Sequence, residues 1–248
     1  MKSNRWYLII TVVLLLFSAI FYLIQISIFH KTEDTFFYLL QDLSFVPVQV
    51  LLVTLILDRL LKKREKNSFL NKLNMVIGVF YNDIGNRLLE LFGKFALNNE
   101  SISSQLRISN EWKEKDFRNK INEFRIHPED INPESEGLYS LKKFLTEKNQ
   151  GLLNLLANPN LLEHDTFTNL LWAVFHLADE LMHREKFDNL PQSDLNHLRG
   201  DLVRAYQLIV LEWLSYMKHL KKDYPYLFSI AVRTNPFNPD AEITVKQP

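Results

Sequence analysis

The sequence predicts an all-α protein, in which an N-terminal transmembrane helical hairpin continues into a cytosolic bundle of about five helices. Two long apolar stretches, 6–29 and 36–57, open the chain. After them, apolar residues recur at helical spacing, and the sustained alternation that is typical of strands is missing. We divide the chain into a hairpin (1–58), a stalk helix that is part of the bundle (59–94) and a bundle with a packed C-terminal segment (95–248).

The two apolar stretches are long enough to cross a bilayer. The first carries no formal charge and exceeds the roughly 20 residues that an α-helix needs to span a hydrocarbon core of about 30 Å. A cleaved signal peptide would need a shorter apolar region and a small-residue cleavage site, which the residues after Ile24 do not offer. The second stretch carries a single charge, Asp42. Both stretches are therefore predicted to be membrane spans.

Basic residues around the spans predict the orientation of the hairpin. Lys2 and Arg5 precede the first span and a basic cluster follows the second, whereas the connecting loop holds only Lys31 and His30. We expect a protein of the inner or plasma membrane with both termini in the cytoplasm. The cluster is either a topology determinant alone or a contact for anionic lipid headgroups. Its members are Arg59, Lys62, Lys63, Arg64 and Lys66.

Polar residues form one stripe on each span. Ser18 and Gln25 share a face of the first helix, and Asp42 and Gln49 share a face of the second. An antiparallel hairpin that turns near Thr32 places the two stripes at matching depths. Polar groups inside a membrane normally turn away from lipid and pair. The stripes therefore either join the two helices of one hairpin or line a polar path shared by several hairpins.

The stalk helix carries two glycines on one face, Gly78 and Gly85. A glycine in a helix interior costs about 1 kcal/mol relative to alanine, so their presence asks for a close approach of another helix. That helix belongs either to the same domain or to a second subunit, and a simple solvated face is the remaining alternative. The two glycines are thus a candidate oligomer seam.

Four further helices are predicted after the stalk, followed by a short helical turn that begins at Pro225. Their predicted bounds are 109–125, 136–156, 160–184 and 192–222. The last of the four has an apolar face wide enough for the central helix of a bundle. The segment 224–237 is dense in aromatic and aliphatic residues, and we expect it to pack on the bundle rather than dock a partner.

One helix of the bundle carries a candidate metal site. His176, Glu180 and His183 follow one another at spacings of four and three, so a continuous helix places them on one face. The apolar face of this helix lies nearly opposite, which leaves a solvated face with surface ion pairs as the alternative. A buried site needs ligands from elsewhere in the chain. The available candidates are His164, His197 and Asp201.

The sequence argues against several other classes of chemistry. It contains no cysteine, only six glycines and no Gly-x-Ser-x-Gly elbow, so thiolate chemistry, phosphate-binding loops and serine-hydrolase elbows find no support. The 29 basic residues balance 29 acidic ones, which argues against a nucleic-acid partner. No cofactor is predicted.

Two segments resemble uncharacterised bacterial two-span membrane proteins with cytosolic helical domains. They are FYLLQDLSFVPVQV at 37–50 and YPYLFSIAVRTNPF at 224–237. The resemblance implies the layout derived above. It implies no activity, cofactor or catalytic residue.

These observations favour a membrane-anchored, non-catalytic interaction or signalling module that faces the cytoplasm and forms an oligomer. Its expected partners are the lipid bilayer, further copies of the chain and an unidentified protein. One alternative is a small oligomeric membrane effector or channel, with Asp42 and Gln49 on a polar path. The other is a metal-dependent helical-bundle enzyme that uses the face of His176.

Overall fold

The computed structural model describes residues 2–30, 32–162 and 164–244, and it divides the chain into two compact units, 1–68 and 69–248. The predicted all-α class is confirmed. Within the described residues, extended pairing is limited to an isolated antiparallel bridge between Ala96 and Ile131. The structural division falls within the predicted stalk helix rather than at residue 58.

The first unit contains helix α1 (Lys2–Phe29) and most of helix α2 (Thr32–Phe80). Both helices are long and apolar enough to span a membrane, and none of the apolar part is buried. α1 ends at Phe29, and His30 after it has a left-handed φ of 53°, the usual conformation after a helix C-terminus. Glu33 and Asp34 then occupy the first turn of α2, where acidic side chains favour the helix dipole. The turn between the apolar helices therefore follows from local sequence.

The second unit is a helical bundle. It begins with the end of α2 and a short π-helix (Tyr81–Gly85), and it ends with α10. Between them lie α3 (Asn86–Gly93), α4 (Asn99–Leu106), α5 (Glu114–Glu123), a 3₁₀ turn (Pro128–Asp130), α6 (Ser135–Leu156), α7 (Pro159–Leu162), α8 (Asp165–Met182) and α9 (Gln192–Asp223). Helix α10 spans Pro225–Arg233.

Helix α9 is the centre of this bundle, as its wide apolar face predicts. It packs against α3, α5, α8 and α10, and α8 in turn packs against α6. Leu202, Ile209 and Trp213 of α9 are almost fully buried. Burial of one such side chain contributes roughly 1.5 to 3 kcal/mol. The long central helix therefore supplies much of the core.

The connection between α8 and α9 is held by α6. The Tyr139 hydroxyl donates to Asp188 Oδ2 at 3.1 Å and accepts from the Phe187 backbone N–H at 3.1 Å. Lys142 Nζ donates to the Arg184 carbonyl at 2.6 Å. Asn189 turns the chain with a φ of 60°, a conformation that asparagine tolerates better than most residues. These contacts set where α9 starts relative to the end of α8.

Two predicted helices are shorter or divided in the structure. The helix predicted at 109–125 begins only at Glu114, because the Asp116 carboxylate accepts the Lys113 backbone N–H at 2.7 Å and closes its first turn. The helix predicted at 160–184 is divided into α7 and α8. His164 separates them, since its Nδ1 accepts the Phe167 backbone N–H at 3.3 Å and caps α8.

Helix α4 was not predicted. It has eight residues, of which Ile102 and Leu106 are buried apolar side chains. Two apolar positions are too few to establish a helical period.

The C-terminal segment packs on α4 and α9. The Asn235 amide donates to the Leu106 carbonyl at 3.0 Å, and the Phe237 ring packs on Trp213 at a centroid distance of 5.1 Å.

Gly78 and Gly85, the candidate oligomer seam, have their close neighbours in the same domain. Both glycines are buried within the second unit. A Cβ on Gly78 would lie 2.7 Å from the Tyr216 hydroxyl oxygen, and one on Gly85 would lie 2.5 Å from Tyr81 Cδ1. The Tyr81 and Tyr216 rings stack at a centroid distance of 5.4 Å. The close neighbours of the glycines are therefore tyrosines of the same chain.

We expect Gly78→Ala to change the free energy of unfolding by different amounts in the native protein and in the Tyr216→Phe variant. Alanine gains about 1 kcal/mol of helix propensity, but in the native protein its Cβ meets the Tyr216 hydroxyl. The substitution should become about 1 kcal/mol more favourable in a Tyr216→Phe background. Urea unfolding of the detergent-solubilised protein, followed by tryptophan fluorescence, measures the difference.

Gly200 of α9 is the matched control, because a Cβ there would meet no atom within 4 Å. Gly200→Ala should be equally stabilising in both backgrounds. A Gly78→Ala effect that is the same with and without the Tyr216 hydroxyl would contradict the packing described above.

Candidate metal centre

Helices α8 and α9 carry matching polar pairs on the faces that meet. His176 and Glu180 lie four residues apart on α8, and His197 and Asp201 lie four residues apart on α9, so each pair shares one helix face. His176 lies opposite Asp201 and His197 lies opposite Glu180, which means that the two helices run in opposite directions here. The antiparallel packing brings all four side chains together.

The four side chains approach one another closely through single atoms. His176 Nε2 and His197 Nε2 each lie 3.4 Å from Asp201 Oδ2, and His197 Nε2 lies 3.6 Å from Glu180 Oε1. These distances exceed the 2.7 to 3.2 Å that is usual for N–H···O hydrogen bonds. The four side chains are therefore in close contact, at distances longer than those of ordinary hydrogen bonds.

Asp201 is the buried member of the cluster. Only 4% of the residue is exposed, and its Oδ2 atom is buried without a hydrogen-bond partner. Its other oxygen lies 3.6 Å from Arg204 Nη1. Leaving a buried polar atom unpaired costs roughly 1 to 3 kcal/mol, more for a charged group. The two histidines in front of it are about half exposed, at 46% and 50% of their side chains.

Arg184 organises the edge of the cluster. It donates to Glu180 Oε2 at 2.5 Å, and it pairs with both oxygens of Asp194 at 2.7 and 3.2 Å. These hydrogen bonds lower the pKa of both carboxyl groups. Because Arg184 occupies one oxygen of Glu180, the other oxygen faces His197. The arginine also joins the end of α8 to the first turn of α9.

His183 does not belong to the cluster, so the predicted set of His176, Glu180 and His183 is corrected. His183 caps the C-terminus of α8 with a helical backbone, and its N–H still donates to the Asp179 carbonyl at 3.1 Å. It lies one turn beyond Glu180, and its ring turns back toward Asp179. Its Nδ1 lies 2.9 Å from the Asp179 backbone carbonyl, and 77% of the side chain is exposed. His197 takes its place. A His-x-x-x-Glu pair on one helix and a His-x-x-x-Asp pair on the next is the sequence signal that points to this pairing.

The structure places the predicted membrane residues at the surface of the first unit. Ser18, Asp42 and Gln49 are exposed and Gln25 is half-buried. Their pairing across the hairpin stays a prediction. The basic cluster from Arg59 to Lys66 is exposed as well, with Lys62 Nζ 2.8 Å from Asp58 Oδ2. Contact of this cluster with lipid also stays a prediction.

Two further features of the second unit lie outside the cluster. A largely apolar cavity of about 270 Å³, lined by Tyr81, Trp213, Tyr216 and Ile230, is smaller than the usual 300 to 1,000 Å³ of ligand pockets. Glu212 is buried, and its Oε2 accepts the Thr166 hydroxyl at 2.9 Å. Burial raises the pKa of this carboxyl group. The polar cluster on α8 and α9, which brings two histidines and two carboxylates together, therefore remains the candidate site.

Known proteins match this chain along nearly its whole length. The family description "MJ1433, N-terminal helical domain" matches residues 2–61, and "Uncharacterized protein MJ1433, C-terminal helical domain" matches 69–233. A protein of Methanocaldococcus jannaschii with the name "Uncharacterized protein MJ1433" is 44% identical over 238 residues, which is 96% of each chain. No solved structure matches. These matches confirm the resemblance to uncharacterised helical proteins, without showing a bacterial source.

We expect Asp194→Asn to lower the free energy of unfolding by an amount that depends on pH, because it removes the ion pair with Arg184. The Asp194 pKa is lower in the folded protein than in the unfolded chain, so its ion pair stabilises fully above pH about 4 and is lost as the pH falls through the folded value. The variant should lose about 1 kcal/mol at pH 7, and this loss should shrink as the pH falls below about 4. Urea unfolding at several pH values measures this.

Glu114→Gln is the control, because its ion pair with Arg118 is largely exposed and should contribute less than about 0.5 kcal/mol. A loss of stability in Asp194→Asn that does not change with pH would show that the ion pair is not its source.

Proposed function

The chain belongs to the MJ1433 family, and we propose that it is a membrane-anchored module that presents its helical second unit to the cytoplasm and acts by binding rather than by catalysis. The proposal rests on the two N-terminal helices, which are long, apolar and not buried by the rest of the protein. The apolar window Ile9–Ile28 has a mean hydropathy of 2.6, and no part of it is buried in the protein. A helix of that composition in a soluble core would be covered by its neighbours.

The exposed apolar surface supports anchoring in a bilayer. Soluble monomers rarely expose contiguous apolar patches above a few hundred Å², whereas side chains along both helices, among them Leu15, Leu23, Phe37 and Leu51, are each more than half exposed. Lipid is the environment in which such side chains are stable. The basic residues that follow the second helix favour a cytoplasmic position for the second unit.

Binding is favoured over catalysis by the chemistry that the chain carries. The sequence offers no nucleophilic cysteine and no glycine-rich phosphate loop. The largest apolar side chains of the second unit that remain exposed, such as Trp172 and Tyr226, suit contact with a protein partner. We therefore propose a protein partner for this unit, in addition to lipid for the first.

The absence of cysteine makes the topology directly testable. We expect a membrane-impermeant maleimide to label Glu33→Cys in intact cells, since this residue lies in the first turn of α2, between the two predicted spans. Lys115→Cys, exposed on α5, should be labelled only after lysis. The unaltered protein is the control for background labelling. Labelling of Lys115→Cys in intact cells would reverse the proposed orientation, and recovery of the protein in the soluble fraction would overturn the anchoring.

We also propose that copies of the chain associate through the first unit, because a polar side chain in an apolar span gains roughly 1 kcal/mol by pairing with another helix. Light scattering in detergent should give a multiple of the 29.4 kDa chain. Asp42→Leu should shift the protein toward the monomer, whereas Leu51→Val on the same helix should not. A monomeric unaltered protein would contradict the proposal.

A further inference from the structure

We propose that His176, Glu180, His197 and Asp201 bind one divalent transition metal ion of the Zn²⁺ type, which joins α8 to α9. The proposal concerns the second unit alone and does not depend on the membrane-anchored role. It rests on three independent properties of the cluster: its donor atoms, its distances and the buried state of Asp201.

The donor atoms select the class of metal. Two imidazole nitrogens and two carboxylate oxygens are a ligand set that Zn²⁺ accepts in tetrahedral sites. Ca²⁺ and Mg²⁺ prefer oxygen ligands in larger numbers, so the two histidines disfavour them. Thiolate-preferring ions have no ligand, because the chain contains no cysteine. The cluster therefore suits a borderline ion that binds both nitrogen and oxygen.

Three contacts within the cluster have lengths close to those between neighbouring ligands of one small ion. Bonds of about 2.0 to 2.1 Å in a tetrahedral site place neighbouring ligand atoms about 3.3 to 3.5 Å apart. The two histidines lie 3.4 Å from Asp201 Oδ2, and His197 lies 3.6 Å from Glu180 Oε1. One ligand atom from each of His176, Glu180 and His197 lies within 4.8 Å of the other two. Asp201 adds a fourth ligand through its contacts of 3.4 Å with both histidines.

The buried oxygen of Asp201 points to a cation. Oδ2 is the atom that both histidines face, and it is the atom without a hydrogen-bond partner. A carboxylate that is 4% exposed is costly unless a positive charge or a donor reaches it. Arg204 Nη1 lies 3.6 Å from the other oxygen, Oδ1. An ion between the histidines would neutralise Oδ2 directly.

The surroundings of the two carboxylates fit metal ligands. Each presents one oxygen to an arginine and the other to a histidine: Glu180 Oε2 bonds to Arg184, and Asp201 Oδ1 faces Arg204. Ligating carboxylates are commonly oriented by such outer partners. The half-exposed histidines leave a path from solvent to the site. Four protein ligands fill a tetrahedral shell, which is typical of a structural rather than a catalytic zinc site.

The test uses the full-length protein in detergent after removal of metal with a chelator. We expect Zn²⁺ to bind at one ion per chain by calorimetry and by elemental analysis after dialysis, and to raise the thermal midpoint. Co²⁺ in the same protein should show the intense visible absorption of four-coordinate cobalt. His176→Gln and His197→Gln should each weaken Zn²⁺ binding at least tenfold and remove the thermal shift.

His183→Gln is the matched control, because His183 lies on the same stretch of chain but outside the cluster. It should bind Zn²⁺ as the unaltered protein does. Asp201→Asn tests the buried ligand, and far-UV circular dichroism is used to check that this variant folds. Less than a tenth of an ion per chain would overturn the proposal, as would tight binding that survives His176→Gln or is lost in His183→Gln. None of these outcomes bears on the maleimide-labelling test of the anchoring.

Discussion

The antiparallel packing of α8 on α9 is the interaction on which the rest of the second unit depends. It buries apolar residues from both helices, such as Val174 and Leu177 of α8 and Leu198 and Leu202 of α9. The same packing sets His176 opposite Asp201. The polar cluster is thus a consequence of the core, because the residues that lie beside the apolar seam are fixed in register by it.

Polar contacts fix the register on α9 of both α8 and the π-helix that contains Tyr81. At the end of α8, Arg184 bonds to its own helix through Glu180 and to α9 through Asp194, while α6 holds the connecting segment through Tyr139. Further along α9, Tyr81 donates its hydroxyl to the Ile209 carbonyl at 2.9 Å. Apolar contacts alone tolerate small slips between helices, whereas hydrogen bonds to particular atoms do not.

The candidate site shows where reasoning from spacing succeeds and where it stops. Helical spacing correctly placed His176 and Glu180 on one face, because both lie well inside α8. It also added His183, whose backbone is still helical but whose ring turns back to Asp179 and lies outside the cluster. The sequence also offers His197 and Asp201 as ligands, but their approach to the site depends on the pairing of two helices. Gly78 is a similar case. The glycine indicates a close approach of another part of the protein, but only the fold identifies Tyr216 as that neighbour.

The sequence by itself determined the all-α class, the two long apolar helices, the continuation of the second beyond residue 58 and the central position of α9. These features follow from composition and from periods along a single segment, which are local properties of the chain. Only the tertiary structure decided which glycine contacts are internal, where α8 ends and which four side chains meet. Each of those outcomes depends on residues far apart in sequence, and their approach is set by the packing of whole helices rather than by any pattern within one of them.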